Sequence, residues 1–253
     1  MKSVSNAMKV LELFGAERMQ ISVSEVAGEL SIPKSSASRL LATMRKSEIV
    51  TQVSKGGVYG IGPLARRLGA LYSSTVSTRD TIREGMKELA TETGHSCWMS
   101  VLSGTDIMVV DGIHGGYPIR LVVEVGSQLP AHATAAGKAL LARLDDERIR
   151  ALYRSADLPT FTKNTLTSTD LLIKELSTIR DRGWAETRQE IIDGITSISV
   201  ALTAASEPAG IALSVSFPVA NLNEGQQSDV RHALLRTASK LGQRIGDTTW
   251  SNQ

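Results

Sequence analysis

The stretch that decides the fold of the first part of this chain is ISVSEVAGELSIPKSSASRLLATMRK, residues 21–46. It predicts two short helices joined by a tight turn, because Ser22 and Glu25 form a capping box and Pro33 opens a second helical pattern. Apolar residues recur at helical spacing on one side of the second helix, where we expect them to pack inward: Ala37, Leu40, Leu41 and Met44. This arrangement is typical of a helix-turn-helix.

The other side of the second helix carries small hydroxyls and cations. Such side chains suit a helix that lies against a polyanion and hydrogen-bonds to base edges, whereas a purely structural helix more often exposes Glu–Lys pairs. The motif therefore indicates double-stranded DNA as a partner. The candidate DNA-contacting residues are Ser24, Lys34, Ser35, Ser36, Ser38, Arg39, Arg45 and Lys55. We expect the cations to contact phosphates, and the serines near Arg39, with Arg39 itself, to contact bases.

The flanking segments extend this motif to a winged helix over residues 1–62. A helix over about 3–15 precedes it, and two short strands at 49–53 and 58–61 follow it. The strands enclose a Gly-Gly hairpin with Lys55 at its tip, which predicts a wing.

Residues 63–78 predict a linker helix that ends in a Ser/Thr-rich connection, so we place the domain boundary near Ser77. Residues 79–253 mix helical and strand periods, which predicts a second, α+β domain built on a sheet. The expected helices lie at 79–93, 134–144, 145–154, 169–182 and near the end of the chain, and the expected strands at 96–102, 106–111, 119–125, 195–203 and 209–216. We expect a turn-like segment at 186–194 and a turn at 205–208 between the last two strands.

Composition and charge agree with two different modules. The 253 residues suit two domains, and the net charge is only +2. Residues 1–78 nevertheless hold ten Lys and Arg against five Asp and Glu, a balance of +5, whereas the remainder carries −3. Cys97 is the only cysteine, so no intrachain disulfide is expected. The sequence has neither a bilayer-spanning apolar run nor a signal-peptide core, which predicts a cytoplasmic protein without a membrane partner.

Enzyme signatures fail in this sequence. It contains no G-x-S-x-G motif, and Gly137-Lys138-Ala139 departs twice from a phosphate-binding loop. The four histidines lack metal-ligand spacing. We therefore predict no enzyme, no metal site and no cofactor.

Two features suggest a ligand site in the second domain. LPAHATAAGKALLA, residues 129–142, is rich in small residues at a strand-to-helix junction, and N–H groups from Thr134 to Gly137 suit an anion such as a carboxylate. Tight helix–sheet packing selects the same residues, so both interpretations stay open. Serines at spacing two on the late strands line a polar pocket or face solvent. Glu190 is either a pocket acid or, as is more common, a solvated surface carboxylate.

Taken together, these segments resemble the isocitrate lyase regulator (IclR) family of bacterial transcription factors over nearly the whole chain. SVSEVAGELSIPKSSASRLL resembles the family's DNA-binding motif, and LPAHATAAGKALLA its sheet-to-helix junction. TLTSTDLLIKELSTIRDRGWAETRQEIIDGITSISVAL, followed by ALSVSFP, resembles its C-terminal signature. The resemblance implies a winged helix and a GAF-like effector-binding and oligomerisation domain, in dimers or dimers of dimers on a palindromic or repeated operator.

The resemblance also implies a set of effector-binding positions. In this chain they are Leu121, Val123, Ala135, Ala136, Gly137, Thr187, Glu190, Ser197, Ser199, Ser214 and Ser216. Many family members have an acid where Thr187 stands and a cysteine where Ser197 stands, so the resemblance implies a more neutral pocket and no metal here. Family effectors are mostly small organic acids and aromatic compounds.

Three hypotheses of function follow. The favoured one is a ligand-responsive repressor or activator of a catabolic operon. An enzyme would need a nucleophile, an acid–base pair or a metal set, none of which the sequence shows. A non-enzymatic interaction protein with a vestigial pocket is the alternative, and filling the pocket distinguishes it from the first.

Overall fold

The computed structural model describes residues 2–14, 18–54, 56–73, 77–118, 121–154, 158–204 and 207–247. The chain divides into two compact units, Met1–Val76 and Ser77–Gln253. No helix in the described ranges is both long and apolar enough to cross a membrane.

The first unit is a winged helix, as the sequence predicts. Its elements are α1 (Lys2–Glu12), β1 (Gln20–Ser22), α2 (Val23–Glu29), α3 (Lys34–Lys46), β2 (Val50–Ser54), β3 (Val58–Ile61) and α4 (Pro63–Ser73). The strands form an antiparallel sheet in the order β1-β3-β2. The short strand β1 was not predicted, and α1 ends at Glu12 rather than near residue 15.

Local sequence explains how the helix-turn-helix forms. The Ser22 hydroxyl accepts a hydrogen bond from the Glu25 N–H at 3.2 Å, and the Glu25 carboxylate accepts one from the Ser22 N–H at 2.6 Å. This capping box fixes the start of α2. Between the helices, Ser31 adopts a left-handed φ of 52°, and Pro33 stands at the N-cap of α3. Ile21, Val26, Leu41 and Tyr59 are among the core residues that join these elements.

The second unit is an antiparallel sheet between two layers of helices. Its elements are α5 (Ser77–Thr93), β4 (Ser96–Ser103), β5 (Asp106–Ile113), β6 (Gln128–Pro130), α6 (Ala135–Leu141), α7 (Asp146–Leu152), α8 (Thr169–Arg182), β7 (Ala185–Arg188), β8 (Ile195–Ala204), β9 (Glu207–Pro218) and α9 (Glu224–Ile245). Single 3-10 turns cover Ala131–Ala133 and Val219–Asn221. The six strands follow the order β6-β5-β4-β9-β8-β7.

Each face of this sheet has its own core. On one face, α5 and α9 pack against residues such as Met99, Val200 and Leu213. On the other face, α6, α7 and α8 pack against the smaller Ala201 and Ala212. Successive residues of a strand point to opposite faces, so Cys97 and Met99 serve the first core while Trp98 and Ser100 point to the second side. This mixed α+β architecture agrees with the predicted fold class.

Three expectations about the second unit were wrong. Residues 121–127 form no strand although apolar and polar residues alternate there, and residues 119–120 lie outside the described residues. All four of residues 121–124 border a cavity, and the alternation matches their burial, because Leu121 and Val123 are half-buried while Val122 and Glu124 are exposed. The segment 186–194 is not all turn-like as expected, because Ala185–Arg188 form the edge strand β7. Glu207 and Pro208, expected in a turn over 205–208, belong to strand β9, and residues 205–206 lie outside the described residues.

Candidate functional site

The first candidate site is the exposed face of α3. Ala37, Leu41 and Met44 are fully buried, and Leu40 is half-buried. This orientation turns the predicted DNA-contacting side chains outward: Lys34, Ser35, Ser38, Arg39 and Arg45 are exposed, as is Ser24 on α2. Ser36 departs from the expectation, because it is half-buried beside an apolar groove that Met8 and Leu11 of α1 also line.

A polar side chain of α3 also reaches the wing. The Arg45 guanidinium donates a hydrogen bond from Nη1 to Gln52 Oε1 of β2 at 2.7 Å. Gln52 in turn donates to the Ser54 carbonyl at 3.0 Å, just before the tip of the wing. Lys55, the predicted cation of that tip, lies outside the described residues.

The cations of the first unit differ in their surroundings. Arg18 is held by two carboxylates of α2, Glu25 and Glu29, at 3.3 and 3.4 Å. Within the part of the chain that the structure describes, Lys34 and Arg39 form no ion pair. Their charges are therefore available to a polyanion that lies along α3.

The second candidate site is a cavity of about 330 Å³ in the second unit. It lies on the α6 side of the sheet, bordered by the start of α6 and by the segments 121–129 and 187–197. Its wall is largely apolar. Nine of the predicted effector-binding residues line it: Leu121, Val123, Ala135, Ala136, Thr187, Glu190, Ser197, Ser214 and Ser216.

Strand register brings the serines together. Ser197 pairs with Ser216 and Ser199 with Ser214 across β8 and β9. The first two hydroxyl oxygens are 2.8 Å apart, and the Ser214 hydroxyl donates to the Ser199 hydroxyl at 2.9 Å. Ser199 donates onward to the Leu213 carbonyl at 3.0 Å, is fully buried and lies outside the cavity wall. The four serines therefore form a ladder across β8 and β9, and three of them line the cavity.

At the start of α6, one of the N–H groups considered for an anion site is already bonded. Thr134 caps the helix, since its hydroxyl accepts a hydrogen bond from the Gly137 N–H at 3.1 Å. That N–H is therefore occupied. Gly137 also lies outside the cavity wall, because a Cβ at this position would stand 2.2 Å from the backbone of Ala131. Tight packing explains Gly137, whereas Ala135 and Ala136 face the cavity.

A buried ion pair closes one side of the cavity. Lys138 of α6, only 1% exposed, donates from Nζ to both carboxylate oxygens of Glu190, at 2.7 and 2.8 Å. Burial raises the pKa of Glu190, and the neighbouring Lys138 ammonium opposes that shift. The expectation that Glu190 is a solvated surface carboxylate is wrong, since only 8% of the residue is exposed. Lys138 is not among the residues predicted for this site.

The backbone that carries Glu190 is clamped by two threonines. The Thr165 hydroxyl donates to the Glu190 carbonyl at 2.6 Å, and the Thr162 hydroxyl donates to the Gln189 carbonyl at 2.6 Å. Gln189 adopts a left-handed φ of 59°, which is unusual for a residue with a side chain. These contacts fix the position of the Glu190 carboxylate beside Lys138.

Two buried polar atoms on residues that line the cavity have no hydrogen-bond partner among the described residues. They are Trp98 Nε1 and Ser100 Oγ, on residues that are 5% and 1% exposed. Both residues lie on the cavity side of β4, and Gly112 opposite Trp98 leaves room for the indole ring. Buried polar groups in proteins are normally paired, so such groups call for a partner supplied from outside the fold. A strand was predicted at 96–102, but Trp98 and Ser100 were not predicted as site residues.

Comparison with known proteins shows the family. The chain matches the family model "Bacterial transcriptional regulator IclR C-terminal" over residues 70–243 and "IclR helix-turn-helix domain" over residues 3–54. It is 25% identical over 242 residues to the transcriptional repressor IclR of Escherichia coli (strain K12), covering 95% of this chain and 88% of the repressor.

Two solved structures share the fold. An IclR transcriptional regulator from Alicyclobacillus acidocaldarius aligns with a TM-score of 0.78 at 23% identity, covering 100% of this chain and 99% of that one. An IclR homologue from Microbacterium hydrocarbonoxydans, complexed with 4-hydroxybenzoate, aligns with a TM-score of 0.78 at 21% identity, covering 94% of this chain and 98% of that one. With both of its units matched by family models, this chain belongs to the IclR family of bacterial transcriptional regulators.

Proposed function

We propose that this protein regulates a catabolic operon by binding an operator through its first unit, and that a small organic acid or aromatic metabolite in the cavity of its second unit controls that binding. The observation that carries this proposal is the cavity itself. It is largely apolar, is lined by two residues whose buried polar atoms have no partner within the described part of the chain, and lies in the same chain as a winged helix.

The DNA contacts follow from the exposure of α3. Lys34, Arg39 and Arg45 supply charge for phosphates, and Ser35, Ser38 and Arg39 present donors and acceptors to base edges. Ser36 keeps a base-contacting role only at the flank of the helix, because it is half-buried. Lys55 stays a prediction for the tip of the wing.

A single winged helix contacts a short stretch of duplex, which favours an assembly of several copies on one operator. We infer a homodimer or a dimer of dimers in the cytoplasm, acting on a palindromic or repeated site. The 4-hydroxybenzoate bound to the Microbacterium homologue supports a small aromatic ligand as one class of effector for this cavity. No catalytic role is proposed for any residue.

The ligand half of the proposal is tested by a thermal-shift screen of organic acids and aromatic compounds. A compound that binds only the folded protein raises its melting temperature. Ala136→Leu fills the cavity from α6 and should abolish the shift, whereas Ala42→Leu on α3, which enlarges an alanine of the other unit, should preserve it. A shift that survives Ala136→Leu would favour the alternative of an interaction protein with a vestigial cavity.

A further inference from the structure

We propose that the cavity selects a neutral ligand, namely an apolar body that carries an uncharged hydrogen-bond acceptor, and that Trp98 and Ser100 hold this acceptor. The acceptor is a carbonyl, amide, ester or similar oxygen. This inference rests on the proposed function and narrows it, because it favours uncharged ligands over organic acids.

Trp98 and Ser100 each offer a buried hydrogen-bond donor. An indole N–H donates and never accepts, so the group that satisfies Trp98 must be an acceptor. Ser100 stands two residues along the same strand, on the same face, and its hydroxyl lacks a partner among the described residues as well. Each of these two buried groups therefore calls for a polar partner, which a ligand in the cavity would supply. Leaving them unpaired would be unfavourable, which gives an acceptor-bearing ligand an advantage over a hydrocarbon.

The charges of the wall argue against a carboxylate ligand. Lys138 is buried next to the cavity, but both oxygens of Glu190 already occupy its ammonium. Glu190 therefore takes the place that a ligand carboxylate would otherwise take. No cation is among the described residues that line the cavity, so a ligand carboxylate would have to displace Glu190 from Lys138 or lie there without a counter-charge. Burying a charge that has no partner is costly.

The rest of the wall suits an uncharged body. Several branched apolar side chains line the cavity, namely those of Ile107, Val109, Leu121 and Ile195. Burying apolar ligand surface against such side chains is favourable, and it imposes no charge requirement. A compact ring or a short alkyl chain with one acceptor meets all of these conditions.

The test uses matched pairs of a carboxylate and its primary amide on the same skeleton: benzoate and benzamide, 4-hydroxybenzoate and 4-hydroxybenzamide, and hexanoate and hexanamide. Dissociation constants are measured on the full chain, together with the indole N–H resonances of ¹⁵N-labelled protein. We expect at least one amide to bind about tenfold or more tightly than its acid and to shift the Trp98 N–H resonance downfield.

Three variants assign that preference to residues. Trp98→Phe keeps an aromatic ring but removes the donor, and should weaken amide binding about tenfold. Trp184→Phe, whose indole packs against Arg182 outside the cavity, is the matched control and should leave binding unchanged. Glu190→Gln frees the Lys138 ammonium and should reverse the preference toward the acid. If Glu190→Gln does not fold, the wild type and the two tryptophan variants still decide.

The possible results separate this inference from the proposed function. Amide binding that Trp98→Phe leaves unchanged, or acids that bind as tightly as their amides, would overturn the inference. If acids alone bind and Ala136→Leu abolishes their binding, the proposed function stands and the inference falls. If neither acids nor amides bind, both fall.

Discussion

At the scale of single residues, Arg39 is central to the proposed contact between α3 and DNA. Its guanidinium is exposed beside the hydroxyls of Ser35 and Ser38, and it forms no ion pair among the described residues. An arginine in this position is able to contact a guanine through two hydrogen bonds.

We therefore expect Arg39→Ala to lose about 1–3 kcal/mol of specific operator binding and to relax the choice of base at one position. The matched control is Arg18→Ala, because Arg18 lies in the same unit but is already held by Glu25 and Glu29. Fluorescence anisotropy with operator DNA and with scrambled DNA measures both variants. Equal losses for the two variants, on both DNAs, would show that Arg39 contributes only general positive charge.

Some residues of the candidate site could not be predicted from the sequence. Glu190 and Lys138 are 52 positions apart, and no local sequence pattern around either residue indicates that they pair. Their pairing depends on the packing of α6 against the segment that follows β7. The unpartnered Trp98 and Ser100 are likewise defined by what surrounds them, since the same residues on an open sheet would be satisfied by water.

At the scale of elements, the docking of α6 is the feature on which the cavity depends. This helix supplies Ala135 and Ala136 to the cavity wall and Lys138 to the buried ion pair. Gly137 allows it to lie against the 3-10 turn at Ala131, where there is no space for even a methyl group.

Gly137→Ala should accordingly destabilise the second unit, by about 1–3 kcal/mol, because the clash is with backbone rather than with a flexible side chain. Gly28→Ala provides the contrast. Gly28 lies inside α2 with nothing within 4 Å of the added methyl group, so the alanine should stabilise α2 by about 0.5–1 kcal/mol. Urea unfolding followed by circular dichroism measures both. A Gly137→Ala protein as stable as the wild type would contradict the proposed close packing.

Elements with strong local signals were predicted well. The capping box of α2 and the alternation within β8 and β9 are properties of neighbouring residues, and the structure confirms them. The short strands β1 and β7 were missed because three or four residues give too weak a period. Residues 121–124 show the opposite error, since alternating burial against a cavity produces the same pattern as a strand in a sheet.

The candidate ligand site was predictable to a similar degree. Most of its wall follows from the resemblance to the IclR family, as the positions of Thr187, Ser197 and Ser216 show. The function of Gly137 and of Ser199 was not predictable, because small residues serve packing and ligand approach equally well. Only the three-dimensional contacts distinguish the two roles.

At the scale of the whole molecule, the central claim is that ligand binding in the second unit changes the affinity of the first unit for operator DNA. Thermodynamic linkage makes this claim reciprocal: a ligand that weakens operator binding must itself bind more weakly in the presence of operator, by the same factor. A ligand with equal affinity for the DNA-bound and DNA-free protein has no effect, however tightly it binds.

The most direct measurement of this claim is a titration of operator DNA, selected by the protein from a random duplex library, in the absence and presence of a saturating compound identified by the thermal-shift screen. We expect the operator dissociation constant of the wild type to change by roughly 5-fold to 150-fold, and that of Ala136→Leu to stay constant. Equal operator affinity with and without the compound in the wild type, or an equal response in Ala136→Leu, would contradict the claim that the cavity controls DNA binding.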